Sequence, residues 1–364
     1  MSSVGRPPRS GGAVVLAVES SCDETGVALV EGGRRILSSV VASQVALHAP
    51  AGGIVPEVAA RAHLRWIVPT LDEAWEESGV AWSDVAAVVV TSGPGLAGSL
   101  LVGINFAKAL AYVHERPLVG VNHLEGHLYA AWLADPAEPG RPEPSLPAVA
   151  LIASGGHTIL SLTTADLEHR LLGQTVDDAA GEAFDKVGRL LGLPYPGGPA
   201  IQLAAEAAAR HDIRFPRAWL PGTSDFSFSG LKTAARRIVA EARAAEGLPA
   251  DDPGARLSDA MVADLAWGFQ DAVVDVLVTK TIRAAEAEGA ASIVLGGGVA
   301  SNAALRARLA GEAESRGIAF VVPSPALCTD NGAMIGAAGA RRFAAGERAG
   351  WDLDARPTWP LARP

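Results

Sequence analysis

Lysine is scarce in this 364-residue chain: Lys108, Lys186, Lys232 and Lys280 are the full set, and every other strong cation is arginine. Acidic residues outnumber basic ones, and the net charge is −10. That balance argues against a stand-alone nucleic-acid binder, whose affinity comes largely from neutralising phosphates. An RNA substrate would be held weakly by this chain alone. A partner, or a small patch such as Lys232 with Arg236 and Arg237, would have to help. The two cysteines, Cys22 and Cys328, lack any paired spacing, which argues against a disulfide framework and a cysteine zinc site. Long apolar runs are missing too. Residues 13–18 are apolar but stop at Glu19, too short for a signal peptide, and no later stretch could span a membrane. No membrane association and a soluble, cytoplasmic protein are therefore expected. The Gly-x-x-x-x-Gly-Lys-Ser/Thr pattern of P-loop enzymes does not occur.

What is plentiful is aliphatic: 49% of the residues are hydrophobic but only 5% aromatic. The length suits two domains with sizeable cores. Residues 1–12, rich in Ser, Gly, Pro and Arg, are expected to be disordered. Residues 14–18 read as a buried strand, followed by the polar turn Glu19-Ser20-Ser21-Cys22-Asp23-Glu24 and a hairpin over 26–30 and 36–41. Helices are predicted over 56–79, 99–115 and 123–134, with strands over 87–91 and 117–121. Prolines 136, 139, 142, 144 and 147 then mark a surface loop or lobe boundary. Beyond it the opening pattern returns as strand 148–153, the turn Ser154-Gly155-Gly156-His157-Thr158, and strands 159–163 and 170–175. Two such meanders suggest duplicated α/β lobes. Helices follow over 180–192, 199–210, 231–246, 259–288, 302–316 and 331–345, with strands at 292–295 and 319–322. The expected domains are 13–134, completed by the helix 330–346, and 148–329, with a tail over 347–364.

The chemistry-bearing segments begin with Asn122-His123-Leu124-Glu125-Gly126-His127. Histidines four apart on a helix share one face and can bind one metal ion. Two unrelated histidines would look the same. Zinc proteases use this spacing with a glutamate directly after the first histidine, but Leu124 stands there and Glu125 would point elsewhere. Asp330, in Cys328-Thr329-Asp330-Asn331-Gly332, is either a third ligand or the N-cap of the last helix. Glycine turns at Ser92-Gly93-Pro94-Gly95, Ser154-Gly155-Gly156 and Gly296-Gly297-Gly298-Val299-Ala300-Ser301-Asn302 sit at strand ends, where backbone N–H groups can face phosphate oxygens. In the run from Asp177 to Lys186, Asp178, Glu182 and Asp185 share a side. This is either a solvated acidic face or, at Asp185, a ribose contact opposite Gly197-Gly198. Asp23 and Glu24 are turn-forming acids or proton-transfer groups, and the sequence leaves both readings open.

As a set, these segments resemble the bacterial TsaD family, the tRNA N6-adenosine threonylcarbamoyltransferases, once labelled O-sialoglycoprotein endopeptidases. Tyr195-Pro196-Gly197-Gly198-Pro199 and Phe228-Ser229-Gly230-Leu231-Lys232-Thr233 belong to the same set, and the likeness runs from about Val14 to Arg342. It implies an actin/Hsp70/sugar-kinase-like (ASKHA) fold of two duplicated α/β lobes around a nucleotide cleft. It implies one divalent metal ion, iron(II) or zinc, held by His123, His127 and Asp330. It implies a threonylcarbamoyl-AMP donor held by Ile152, Ala153, Ser154, Gly155, Gly156, Asp185, Gly198 and Asn302. The implied reaction transfers the threonylcarbamoyl group to the exocyclic amine of the adenine 3′ of the anticodon, in tRNAs reading codons that begin with A. Asp23 and Glu24 are its catalytic candidates. The implied partners are tRNA, the paralogue TsaB and the small ATPase TsaE. A metal-dependent endopeptidase and an ASKHA-type ATPase or kinase are the competing readings. Many relatives carry Asp where this chain has Gln202, so a nucleotide contact there is open.

Overall fold

The computed structural model describes residues 11–249 and 256–362. Of the extension expected to be disordered, residues 1–10 lie outside the described residues. In chain order come β1 (Val14–Glu19), β2 (Glu24–Glu31), β3 (Arg35–Ser43), α1 (Pro56–Ser78), β4 (Val85–Gly93), α2 (Ala97–Val113), β5 (Leu118–Asn122) and α3 (His123–Tyr129). They are followed by β6 (Ala148–Ala153), β7 (Thr158–Ala165), β8 (Glu168–Gln174), α4 (Ala180–Leu190), α5 (Gly197–Ala205), α6 (Ser229–Ala245) and α7 (Asp259–Ala287). Last come β9 (Ser292–Gly296), α8 (Ala303–Glu314), β10 (Ala319–Val321) and α9 (Gly332–Ala344).

The strands form two five-stranded sheets, ordered β3-β2-β1-β4-β5 and β8-β7-β6-β9-β10. In each, an antiparallel meander ends on a central strand that continues into two parallel strands. The repeated strand–turn–strand pattern in the sequence is thus a duplicated topology, the expected pair of α/β lobes. Central strands β1 and β6 are buried along their whole length, which is why they read as unbroken apolar runs.

Among the described residues, one compact unit runs to Ser43 and takes in Pro56–Arg141 and Asp330–Trp359. The other takes in Gln44–Val55, Pro142–Thr329 and the residues from Pro360.

In the first unit, α9 lies flush on the sheet because glycines line its contact face. A Cβ at Gly332 would sit 2.6 Å from the Ala28 nitrogen, one at Gly336 2.5 Å from a Val30 methyl, and one at Gly339 2.7 Å from Val89. Gly126 of α3 is equally tight, 2.7 Å from Ile335 Cδ1. Four missing side chains therefore let α9 and α3 close on the sheet and on each other. The segment after α9 stays with this unit: Ala349 bridges Leu118, and Arg356 N–H donates to the Ser92 carbonyl at 2.7 Å.

In the second unit, α7 is the central helix, with Phe269 in edge contact with Phe184 and Phe215. Two helices stop five residues short of their predicted ends. α5 stops at Ala205, not Arg210, because Asp264 Oδ1 accepts the backbone N–H groups of Ala209 and Arg210 at 3.0 and 2.9 Å. Back in the first unit, α3 ends at Tyr129 and tightens into a 3-10 turn over Ala130–Trp132.

Candidate active site

The first unit gathers His123, His127 and Asp330, with one ligand atom of each within 4.8 Å of the others. α3 supplies the histidines one turn apart, with ring centroids separated by 4.7 Å. Asn122 caps this helix by accepting the Leu124 N–H, so the first histidine is fixed at its first position. Asp330 does not cap α9. Asn331 does, accepting Met334 N–H at 2.9 Å. With the cap supplied by its neighbour, Asp330 Oδ1 faces His127 Nε2 at 3.1 Å and His123 Nε2 at 3.6 Å.

Each histidine fits a metal ligand for a different reason. Both ring nitrogens of His127 are buried and make no hydrogen bond. Burying ring nitrogens without a hydrogen bond costs free energy, which a cation held with the aspartate would offset. His123 Nδ1 lies 3.1 Å from Glu19 Oε2 and 3.1 Å from Ser21 Oγ. Glu19 accepts, so Nδ1 carries a proton, and Nε2 faces Asp330 on the side where a cation would sit. This carboxylate behind the imidazole is the arrangement that orients metal-bound histidines. Burial alone would lower the His123 pKa, but without a cation the carboxylates of Asp330 and Glu19 push it up to about 9. Burial works against the charged form of Glu19, yet the His123 imidazole and the Thr91 hydroxyl, 2.6 Å away, hold its carboxyl below the usual range.

Glu19 is the residue the sequence reading missed. In the sequence it reads as part of the polar turn, but it ends β1, fully buried. An acid closing an otherwise apolar strand was the available signal. Glu24 opens β2 and accepts the Ser43 hydroxyl at 2.8 Å. Burial, with the charges of Asp23 and Asp330 adding to it, lifts its carboxyl to about 8. Burial also pushes the Cys22 thiol well above its ordinary range, with the Asp23 and Asp330 charges adding to the effect.

Glu125 does not face the histidines. Both its oxygens accept from Arg342, at 2.7 and 2.6 Å, and the pair is mostly buried. A peptidase base is therefore absent from this position.

The Ser92–Gly95 turn lies in the first unit, and the second unit holds the other two glycine turns. Ser154 accepts Gly181 N–H at 3.1 Å through its carbonyl, and a Cβ on Gly181 would strike that oxygen at 2.6 Å. Gly297, at φ +86°, is pressed against Ala153, where a Cβ would lie 2.4 Å from the carbonyl oxygen. Gly197 is similarly closed against Phe184 and Asp185, and its N–H donates to Asp185 Oδ1 at 2.7 Å. Between these packed glycines are open ones. At Gly155, Gly156, Gly198 and Gly298 a Cβ would meet nothing within 4 Å. The fold itself does not require glycine at these four positions, which leaves room for a ligand against bare backbone. Asn302 caps α8, accepting Leu305 N–H at 3.0 Å, and donates to Gln270 at 2.7 Å. Gln202 accepts the adjacent Ala303 N–H at 2.8 Å, so in this structure its amide oxygen serves the start of α8. Of the acidic run, Asp178 and Glu182 pair with Lys186 at 2.7 and 2.9 Å. Asp177 binds Phe228 N–H, Ser229 N–H and the hydroxyls of Ser227 and Ser229 ahead of α6.

A family model described as TsaD, tRNA N6-adenosine threonylcarbamoyltransferase, matches residues 35–337. The chain belongs to that family. Its relatives include the tRNA N6-adenosine threonylcarbamoyltransferase of Thermomicrobium roseum, 52% identical over 359 residues, covering 96% of this chain and 97% of the relative. That of Sorangium cellulosum is 52% identical over 347 residues, covering 93% and 94%. Among solved structures, full-length HypF in its phosphate- and nucleotide-bound form aligns at TM-score 0.57 and 13% identity, over 93% of this chain and 47% of that one. This likeness concerns fold alone. The TsaD-family chain is accordingly an ASKHA-fold transferase that acts on tRNA, with a possible divalent-metal site at His123, His127 and Asp330. Among the described residues, no helix is long and apolar enough to cross a membrane.

Proposed function

We propose that this tRNA N6-adenosine threonylcarbamoyltransferase takes its acyl group from threonylcarbamoyl-AMP and works with iron(II) at His123, His127 and Asp330. The observation that carries the metal assignment is His127, buried with both nitrogens unbonded beside a carboxylate. Two imidazoles and one carboxylate leave positions open and suit iron(II), with zinc as the second candidate. When bound, the ion supplies Lewis-acid polarisation of an oxygen.

The chain's own residues do the rest. The open glycines 155, 156 and 198, with Ile152, Ala153, Ser154, Asp185 and Asn302, hold the adenylate, their N–H groups steadying phosphate charge. The adenine amine attacks the carbamoyl carbon, the bond from that carbon to the phosphate oxygen breaks, and AMP leaves. The amine must also shed a proton. Glu24, lifted to about 8, can hold or release one near neutral pH, with Asp23 beside it. The tRNA carries its adenine 3′ of the anticodon, in the tRNAs reading codons that begin with A. The cytoplasm is the proposed location, where such tRNAs are used.

The proposed partners are a TsaB-like paralogue and a small TsaE-like ATPase. For the first, support comes from an apolar face on α1 and α2. Leu64, Val68 and Leu101 are exposed there beside a cavity of about 340 Å³ lined by Leu64, Ile67, Leu101, Val102, Asn105 and Phe106. The test of the whole reading is a reconstituted assay with threonylcarbamoyl-AMP and tRNA, followed by nucleoside analysis. Modified adenosine from the wild type but not from Asp330→Ala supports it. Equal product from both removes Asp330 from the chemistry.

A further inference from the structure

His63 is fully buried on α1, yet it is not an idle core residue. Its Nε2 lies 3.0 Å from the Cys22 carbonyl and its Nδ1 2.7 Å from Thr25 Oγ1. A carbonyl can only accept, so Nε2 carries the proton, and Nδ1 accepts from the Thr25 hydroxyl. One imidazole thus ties both ends of the Cys22–Thr25 turn, the segment that carries Asp23 and Glu24. The rest of that turn is held from α2. Ser20 Oγ donates to the Ser99 carbonyl at 2.9 Å, and Leu96 N–H donates to the Ser21 carbonyl at 2.8 Å. Ser21 in turn touches His123 Nδ1 at 3.1 Å.

We propose that His63 is a positioning residue for the transfer reaction: it holds the Asp23–Glu24 turn in register beside the histidine–aspartate centre. The proposal rests on the site reading above. It also gives α1 two roles, since one flank carries the exposed Leu64 and Val68 while its inner side grips the turn. The Thr25–His63 bond is local, and neither residue belongs to the metal set or to the glycine turns of the second unit.

Two substitutions break the grip to different degrees: His63→Leu removes both bonds, and Thr25→Val removes one with little change of shape. The reconstituted enzyme with its partners, tRNA and threonylcarbamoyl-AMP is the system. His63→Leu is expected to lower kcat by roughly 10- to 100-fold, the scale of a small misplacement of reacting groups. The KM for the adenylate and the metal content should stay at wild-type values. Thr25→Val should lower kcat less, and the double variant should be no worse than His63→Leu alone, because the two lesions share one bond. An unchanged kcat in both single variants, a rise in adenylate KM in place of the kcat loss, or fully additive losses would each overturn the proposal. Asp330→Ala runs alongside: full activity there would overturn the site reading itself, an outcome distinct from any result at His63.

Discussion

Arg342 holds both carboxylate oxygens of Glu125, at 2.7 and 2.6 Å, in a partly buried pair. A glutamate two residues from a metal-candidate histidine invites a peptidase reading, and this bond closes it. Glu125→Ala should cost about 1–3 kcal/mol of stability, because a half-buried guanidinium loses its bidentate partner. The lower end is expected, since Glu347 also pairs with Arg342. Metal content should be unchanged. Urea unfolding and elemental analysis check both. A stable variant without activity would instead make Glu125 a reacting group.

The three-ligand assignment has a direct consequence. His127→Ala and Asp330→Ala should each lower metal content and turnover while leaving far-UV circular dichroism unchanged. Full occupancy in both would dismiss the assignment.

Glu24 gives a pH signature. Its folded pKa of about 8 lies above the ordinary carboxylate value, so the folded state keeps a proton that the unfolded chain has lost. Its contribution to stability is complete below the ordinary value and is lost as pH rises through about 8. Wild-type stability should fall over that window, and Glu24→Gln should flatten the fall. Parallel unfolding curves for the two proteins from pH 5 to pH 9 would contradict this.

The packed and open glycines predict opposite outcomes. Gly156→Leu and Gly198→Leu should leave stability nearly unchanged but weaken binding of an adenylate analogue, measured by calorimetry. Gly297→Ala should destabilise by about 1–3 kcal/mol, through strain and overpacking against Ala153. Unchanged affinity in both leucine variants would move the pocket elsewhere.

Charge and the apolar face together predict dependence on partners. The isolated chain should bind tRNA weakly and turn over little, with activity appearing when the paralogue and ATPase are added. Leu64→Asp should abolish that gain without unfolding the chain. Full turnover by the chain alone would refute the charge argument.

The strands were legible because β1 and β6 are covered on both faces and therefore read as pure apolar runs. The duplication was legible because each such strand leads into the same polar turn. What escaped was whatever depended on a distant partner. Glu19 looked like a turn residue because its ligand Thr91 lies 72 positions away. The stop of α5 at Ala205 was hidden because Asp264, far along the chain, captures the next N–H groups. Sequence alone does not tell which of Asp330 and Asn331 caps α9; in the fold Asn331 does. His63 carried no motif signal, since a lone histidine in an amphipathic helix looks the same whether it grips a turn or fills a core.

The flush seat of α9 also sets a timetable for synthesis. Asp330 leaves the ribosome roughly 200 residues after His127, a lag of about 10–40 s at ordinary elongation rates. Throughout it the paired histidines exist without Asp330, and the sheet face around Ala28, Val30 and Val89 waits for Gly332, Gly336 and Gly339 to cover it. The nascent first lobe is therefore an unfinished object with a sticky side. The proposed three-ligand site can be completed only after almost the entire chain has been made.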